Sequence, residues 1–143
     1  MIAYFDSSVL LTILLNQERY AEAYSLWSDT DFCLSSFLIR IETNISLCRT
    51  HKISNHKHDD SWIEEKTDEL DEMLKNINYK SIDKSIEQVI IKNKILAGCK
   101  SLDAIHLATA IYFRENAKGQ HIILCSFDKN MLKVAKELGF ETN

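Results

Sequence analysis

Short runs of consecutive apolar residues alternate with longer stretches of helical periodicity along this chain. The clearest runs are 2–5 (IAYF) and 121–125 (HIILC), and residues 32–34, 79–82 and 140–142 are predicted as three further strands. Apolar residues fill these runs instead of alternating with polar ones, so both faces of the sheet should be buried. The sequence therefore predicts an α/β fold of three layers, α/β/α, with a short central parallel sheet flanked by helices.

The segments between these strands are predicted to be helical. Ser35 and Ser36 are candidate N-caps for the helix that begins at 37, and Ser101 is a candidate cap for a later one. Gly98 marks a break between two helices, and the polar stretch 51–58 is expected to be a loop. Residues 7–16 look helical or tightly turned, and helices are expected at 18–28, 37 to about 50, 60–76, 83–96, 101–116 and 128–138.

The scarcity of proline and glycine restricts the possible folds further. The chain has no proline and only three glycines among 143 residues. That argues against sandwiches and barrels with many tight turns, and it favours long helices joined by short links. No glycine-rich loop exists, which excludes the phosphate cradles of nucleotide-binding proteins. The length suits one domain, and no repeat or linker divides it, so we expect a single domain over 1–143.

The N-terminus and the cysteines indicate the compartment. Residues 1–6 (MIAYFD) lack the basic region of a signal peptide, and no apolar run approaches the ~20 residues that span a membrane. The four cysteines contain no C-x-x-C pair, so a zinc knuckle is not expected. Cys33 and Cys125 lie inside apolar runs and should be core residues. The sequence thus predicts a cytoplasmic protein without a membrane partner.

Charge is unevenly distributed along the chain. Residues 59–72 hold eight acids against one lysine, a net −7, although the whole chain carries only −4. Residues 92–136 hold eight basic and three acidic residues, a net +5. The acidic helix is expected to be a solvated face, and the basic segment leaves room for a nucleic-acid partner.

Four carboxylates occupy positions where a sheet of this kind binds ligands or where an acid is costly. Asp6 ends the first strand and Asp128 follows the HIILC strand, and the carboxyl ends of parallel strands line the crevice where ligands bind. Glu42 shares a helical face with apolar residues, where an unpaired carboxylate is unfavourable. Asp103 opens a predicted helix, whose N-terminus tolerates negative charge.

Each of these acids also has an ordinary structural explanation. The two strand-end acids could cap the helices that follow them, and Asp103 could be a first-turn acid. Glu42 could pair with Arg40 or Arg49, or lie at the edge of the apolar stripe. If all four converge, their mutual repulsion has to be offset, and a hard divalent cation such as Mg²⁺ or Mn²⁺ would do so. Carboxylate-held Mg²⁺ activates water and stabilises charge in phosphodiester hydrolysis.

The sequence resembles PIN domains at four motifs. DSSVLL at 6–11 is similar to the opening motif of that family, and RIETNISL at 40–47 to its helical glutamate motif. LDAIHLATA at 102–110 is the most specific match, and 126–140 is similar to the final acidic motif with its helix and closing strand. Order and spacing agree over essentially the whole chain, and the size is similar to that of VapC toxins of toxin–antitoxin pairs.

The resemblance implies an activity, partners and a site. It implies a Mg²⁺- or Mn²⁺-dependent ribonuclease, usually dimeric, that cuts structured RNA such as tRNA or rRNA and is inhibited by a VapB-type antitoxin. Asp6 and Asp103 would be the likeliest direct metal ligands. Ser126 stands where the family has a Thr or Ser that orients the site, and Ser8 is a weaker candidate for the same work. The catalytic and metal-binding quartet would be Asp6, Glu42, Asp103 and Asp128.

Other polar residues have both functional and structural interpretations. Lys129 and Lys133 recur with Lys136 at helical spacing and could contact RNA phosphates, or simply face solvent. His106 is expected to be a core histidine hydrogen-bonded to backbone, in preference to a ligand or base. The cluster His51, His56, His58, Asp59 and Asp60 lacks the fixed spacing of a zinc site, so a polar loop explains it.

Three function classes can be compared on these residues. A metal-dependent endoribonuclease of the toxin type is favoured, because all four acidic positions are filled. A catalytically silent module that binds RNA or protein would be expected to lack part of the quartet. A receiver or a haloacid-dehalogenase-type phosphatase is disfavoured, since Asp6-Ser7-Ser8 follows the first strand instead of a second acid.

Overall fold

The computed structural model describes residues 1–54 and 59–143. The first part of the chain forms β1 (Ile2–Phe5), α1 (Ser7–Leu14), α2 (Tyr20–Ser28), β2 (Phe32–Ser36) and α3 (Leu38–Ile53). The middle forms α4 (Asp60–Lys75), β3 (Ile77–Lys80), α5 (Lys84–Lys92) and a 3₁₀-helix (Lys94–Gly98). The last part forms α6 (Ser101–Asn116), β4 (Ile123–Cys125), α7 (Lys129–Glu137) and β5 (Glu141–Thr142).

The five strands form one parallel sheet in the order β3-β2-β1-β4-β5. This confirms the predicted α/β fold with a central parallel sheet. From β1 the chain builds β2 and β3 on one side, and β4 and β5 pair on the other, so the strand order reverses between β1 and β4. Ligands of open parallel sheets bind at such a switch point, outside the carboxyl ends of the strands. Phe5 pairs with Cys125 here, so the residues that follow both strands emerge side by side.

Both faces of the sheet are covered, as the continuously apolar strands predict. Ala3 and Phe5 of β1 face a core built with α1, α2, α3 and α4. Tyr4, between them, faces a second core built with α5, α6 and α7. All three side chains are fully buried. Full burial of a large apolar side chain contributes about 1.5–3 kcal/mol, so the two cores hold β1 firmly where Asp6 follows it.

The acidic helix α4 is solvated on one side, as predicted. Every acid between residues 59 and 72 is exposed. Its opposite stripe contacts the core, through buried Leu70 and Leu74 and partly buried Trp62, Ile63 and Met73. The charge run is therefore the outer face of an amphipathic helix.

Two element boundaries differ from the prediction. The third strand spans Ile77–Lys80 instead of 79–82, because Ile77 is buried against the core and pairs with Cys33, whereas Ile82 is 45% exposed. The segment 83–96 is not one helix, since Asn93 leaves helical geometry with φ −112° and ψ 84°. The break expected at Gly98 thus lies at Asn93, and Gly98 ends the 3₁₀-helix.

The predicted caps have different roles. Ser35 lies in β2 and donates its hydroxyl to the carbonyl that ends β1, at 2.7 Å. Ser36, the last residue of β2, accepts the first N–H of α3 at 3.1 Å and so partly fulfils the prediction. Ser101 is not a cap, because the N-cap position of α6 is Lys100, whose side chain makes no capping bond.

The first residues of the predicted loop at 51–58 are helical instead. Residues 51–53 form the last turn of α3, where the ring of His51 stacks on that of Trp62 at 6.2 Å and 13°. The helix α3 thus ends at Ile53, beyond the predicted end near residue 50, and contacts α4 there. The polar-loop interpretation of His56 and His58 lies outside the described residues.

All four cysteines lie in the described parts of the chain. Cys33 and Cys125 are buried, as their apolar flanks predict, and all four cysteines are free. In the parts of the chain that the structure describes, no helix combines the length and the apolar character needed to cross a membrane.

Candidate active site

Asp6 is a buried carboxylate held at both oxygens. It is 5% exposed and is the N-cap of α1. Its Oδ1 accepts the Ser8 N–H at 3.1 Å and the Ser8 hydroxyl at 2.5 Å, and its Oδ2 accepts the Ser126 hydroxyl at 2.6 Å. Burial raises the pKa of Asp6 above its usual range, and the hydrogen bonds from Ser126 and Ser8 oppose that rise. The structure thus fixes this acid in one orientation.

The same two serines join the loops after β1 and β4. Ser126 Oγ accepts the Asp128 N–H at 2.9 Å while it donates to Asp6, and Ser8 Oγ accepts the Phe127 N–H at 2.9 Å. Asp128 in turn caps α7 by accepting the Met131 N–H at 3.0 Å. The capping alternative is therefore correct for both strand-end acids. Capping engages only part of each carboxylate, so it leaves room for a ligand.

Glu42 approaches this edge of the sheet from α3. Its Oε1 lies 2.6 Å from Nε2 of His106, whose Nδ1 lies 2.8 Å from the Tyr4 hydroxyl. Of the structural alternatives for Glu42, the pairing with Arg40 or Arg49 is not observed, because its ion-pair partner among the described residues is His106. His106 is 2% exposed, as expected of a core histidine, but its partners are side chains and not backbone.

Asp103 lies in the first turn of α6, three residues before His106. Burial and the charge of Asp128 raise the pKa of Asp103, with a smaller contribution from Glu42. The nearby His106 lowers the pKa of both Asp103 and Asp6. Asp103 is thus influenced electrostatically by Asp128, Glu42 and His106, and Asp6 is influenced by His106. We call Asp6, Glu42, Asp103 and Asp128 the carboxylate cluster.

The carboxylate cluster has the donor chemistry of a magnesium site. Among residues 1–54 and 59–143, no three His, Cys, Asp or Glu side chains form a group that could hold a metal ion. Mg²⁺ does not need such a group, because it usually keeps several waters and binds one or two carboxylates directly. Hard oxygen donors and the excess negative charge around Asp103 fit a hydrated Mg²⁺ or Mn²⁺. The assignment of individual ligands stays a prediction.

A cleft of about 630 Å³ opens beside Asp103 and Asp128. Lys100 and Lys133 add positive charge to its lining. Of the two lysines predicted to contact RNA, Lys133 lines the cleft and Lys129 does not. Lys100 was missed at the sequence level, and the available signal was its place just before the LDAIHLATA motif. The apolar part of the lining includes Ile95, Met131 and Val134.

Comparison with known proteins agrees with this architecture. The family model described as PIN domain matches residues 3–137 of the chain. Among solved structures, the fold is similar to a chain in the crystal structure of VapBC2 from Rickettsia felis bound to a DNA fragment from their promoter. That similarity has a TM-score of 0.64 and 13% identity, and it covers 100% of this chain and 98% of that chain. Among curated proteins, none matches this sequence.

Proposed function

The chain belongs to the PIN domain family, as its motifs predict, and on that basis we propose that it is a metal-dependent endoribonuclease toxin of the VapC type. The reaction would be hydrolysis of RNA phosphodiester bonds, with tRNA or rRNA as the substrate class. The observation that carries the proposal is the junction of Asp6 and Asp128 through Ser126 at the carboxyl ends of β1 and β4. It is supported by the effect of Asp128 and Glu42 on the pKa of Asp103, and by the cleft beside Asp103 and Asp128.

The residues of the carboxylate cluster would coordinate the metal in two ways, directly and through water. Asp6 and Asp103 would bind Mg²⁺ or Mn²⁺ directly, and Glu42 and Asp128 would complete the shell directly or through water. The bound ion would act as a Lewis acid toward the scissile phosphate and lower the pKa of water. Ser8 and Ser126 keep Asp6 in place, since each donates its hydroxyl to one carboxylate oxygen.

The cleft offers a path for the RNA strand. Lys100 and Lys133 are exposed at its lining and would bind backbone phosphates on either side of the cleaved bond. The exposed Ile95 and the half-buried Val134 of the lining would contact the apolar faces of bases. Lys129 would act only on RNA that extends beyond the cleft.

Partners follow from the same proposal. The structural relative from Rickettsia felis is part of a VapBC complex bound to promoter DNA. By analogy, this chain would pair with a VapB-type antitoxin and form a homodimer. A toxin of this kind would act in the cytoplasm, where its RNA substrate and its antitoxin are made.

The alternative is a catalytically silent PIN domain that binds RNA or protein. A silent member would be expected to have lost part of the quartet, and all four acids are present here. The two functions differ in one respect that can be measured, which is whether RNA is cut.

The test is incubation of the purified chain with total tRNA and rRNA in Mg²⁺, in Mn²⁺ and in EDTA. We expect discrete fragments with 5′-phosphate and 3′-hydroxyl ends in the metal arms alone. Asp6→Asn should give none, and the matched Asp68→Asn, an exposed acid of α4, should cut like the wild type. Fragments in EDTA, or equal cleavage by Asp6→Asn, would refute the proposed site. The absence of fragments together with the absence of Mn²⁺ binding by calorimetry would favour the silent module.

A further inference from the structure

A chain of hydrogen bonds crosses the core from the sheet to Glu42. It starts at the Ser36 N–H, which donates to the Tyr4 hydroxyl at 3.2 Å. It continues through the contact of 2.8 Å between that hydroxyl and His106 Nδ1. It ends at the contact of 2.6 Å between His106 Nε2 and Glu42 Oε1. Four elements, β2, β1, α6 and α3, are linked through these hydrogen bonds.

The direction of the last hydrogen bond in this series is fixed by the carboxylate. A tyrosine phenol keeps its hydrogen at neutral pH, and burial raises the pKa of Tyr4 further. The Tyr4 oxygen accepts from the Ser36 N–H, and its own hydrogen can be donated to Nδ1 of His106 when the ring is neutral. A carboxylate oxygen only accepts, so Nε2 carries the hydrogen of the contact with Glu42 whether the ring is neutral or cationic.

Burial fixes the side chains of Tyr4 and His106, but it does not fix that of Glu42. Tyr4 is 0% and His106 is 2% exposed, and their rings pack edge to face at 6.0 Å. The side chain of Glu42 is 22% exposed, so without a fixed donor it could sample several rotamers. The bond to His106 engages Oε1 and leaves Oε2 as the oxygen for a ligand.

Packing alone does not explain this choice of residues. An apolar pair of similar volume would fill the same space without burying polar atoms that each need a partner. The protein instead places a tyrosine and a histidine in the core, and the buried polar atoms of both side chains have hydrogen-bond partners. Histidine and carboxylate partners behind a metal ligand are a common way to fix its orientation.

We propose that Tyr4 and His106 are positioning residues that hold Glu42 in its metal-binding orientation. This inference rests on the proposed metal-dependent function. It assigns to His106 a role through Glu42, and to Tyr4 a role through His106, with neither side chain touching the metal or the RNA.

A set of variants of the full chain tests the proposal. His106→Asn keeps an amide near Nδ1 but cannot reach Glu42, whereas His106→Gln can place a donor near the position of Nε2. The matched control is His121→Asn, because His121 forms a similar contact of 2.7 Å with Glu141 on the surface. Tyr4→Phe removes only the hydroxyl that orients His106.

The main measurement is the Mn²⁺ affinity by calorimetry, with RNA cleavage as the second readout. We expect His106→Asn to weaken Mn²⁺ binding about 10- to 100-fold, since this is the usual cost of losing such a partner. His106→Gln should recover most of that loss, Tyr4→Phe should show a smaller loss, and His121→Asn should match the wild type. Cleavage should fall in kcat with an unchanged KM for RNA.

Several results would overturn the proposal. Wild-type Mn²⁺ affinity in His106→Asn would reduce the hydrogen-bond chain to core packing, as would equal losses in the Asn and Gln variants. If His106→Asn does not fold, the comparison of His106→Gln and Tyr4→Phe with the wild type decides. A wild type that binds Mn²⁺ but cuts no RNA would refute the proposed function, while a weakened His106→Asn would still support the positioning role. A wild type that binds no Mn²⁺ would refute both.

Discussion

Ser126→Ala probes the junction that holds Asp6 in place. The Ser126 hydroxyl is fully buried, donates to Asp6 at 2.6 Å and accepts from the Asp128 N–H at 2.9 Å. A hydrogen bond to a charged group contributes about 1.5–3 kcal/mol and one between neutral groups about 1 kcal/mol. Losing both should therefore lower the free energy of unfolding by about 3 kcal/mol, or Tm by about 10 °C.

The loss of stability in this variant should also depend on pH. Because burial raises the folded-state pKa of Asp6, the folded chain binds that proton more tightly than the unfolded chain. The contribution of Asp6 to stability therefore falls as the pH rises from its unfolded pKa toward its folded pKa. Ser126 opposes that rise, so its removal moves the folded pKa further up. The loss of unfolding free energy caused by Ser126→Ala should therefore be larger at neutral pH than at acidic pH.

Urea unfolding in EDTA, at acidic and at neutral pH, measures both effects. The control is Ser25→Ala, whose exposed hydroxyl donates to Asp29 at 3.2 Å and should change stability by less than about 0.5 kcal/mol. If Ser126→Ala lost no more unfolding free energy than the control, or lost more at acidic than at neutral pH, Ser126 would not stabilise Asp6 in this way.

Three further variants test the roles of other residues in the site. Asp6→Asn should abolish cleavage while the fold remains intact in metal-free buffer, and a cleavage rate like that of Asp68→Asn would contradict the assignment. Glu42→Gln keeps an acceptor for its histidine partner and removes one charge from the carboxylate cluster, so its Tm in EDTA should equal or exceed that of the wild type. A clear fall in Tm would make Glu42 a structural ion-pair partner instead. Lys133→Ala should weaken RNA binding and reduce the slope of log K against log salt by about 0.7, whereas the exposed Lys92→Ala should not.

The sequence predicts those parts of the fold that depend on local pattern. Tyr4 and Phe5 are adjacent and both apolar, which indicates a strand buried on two faces, and the structure places them in different cores. Asp6 and Asp128 could be placed at one edge because parallel strands align their carboxyl ends. The motif LDAIHLATA supplied the family, which the match over residues 3–137 confirms.

The contacts inside the site could not be predicted in this way. His106 and Glu42 are 64 residues apart and His106 and Tyr4 are 102 apart, so their contacts depend on how α3 and α6 pack on the sheet. The charges near Glu42 in the sequence suggested Arg40 or Arg49 as its partner, yet tertiary packing places His106 beside it. The boundary of β3 also depended on burial, because both Ile77 and Ile82 suit a strand and only the first is buried.

The proposed function depends on binding of a divalent metal by the carboxylate cluster. Anomalous diffraction from crystals soaked in Mn²⁺ tests it most directly, with the wild type and Asp6→Asn treated alike. We expect an anomalous peak beside Asp6 and Asp103 in the wild type, and none there in Asp6→Asn. A peak elsewhere on the chain, or no peak at saturating Mn²⁺, would contradict it.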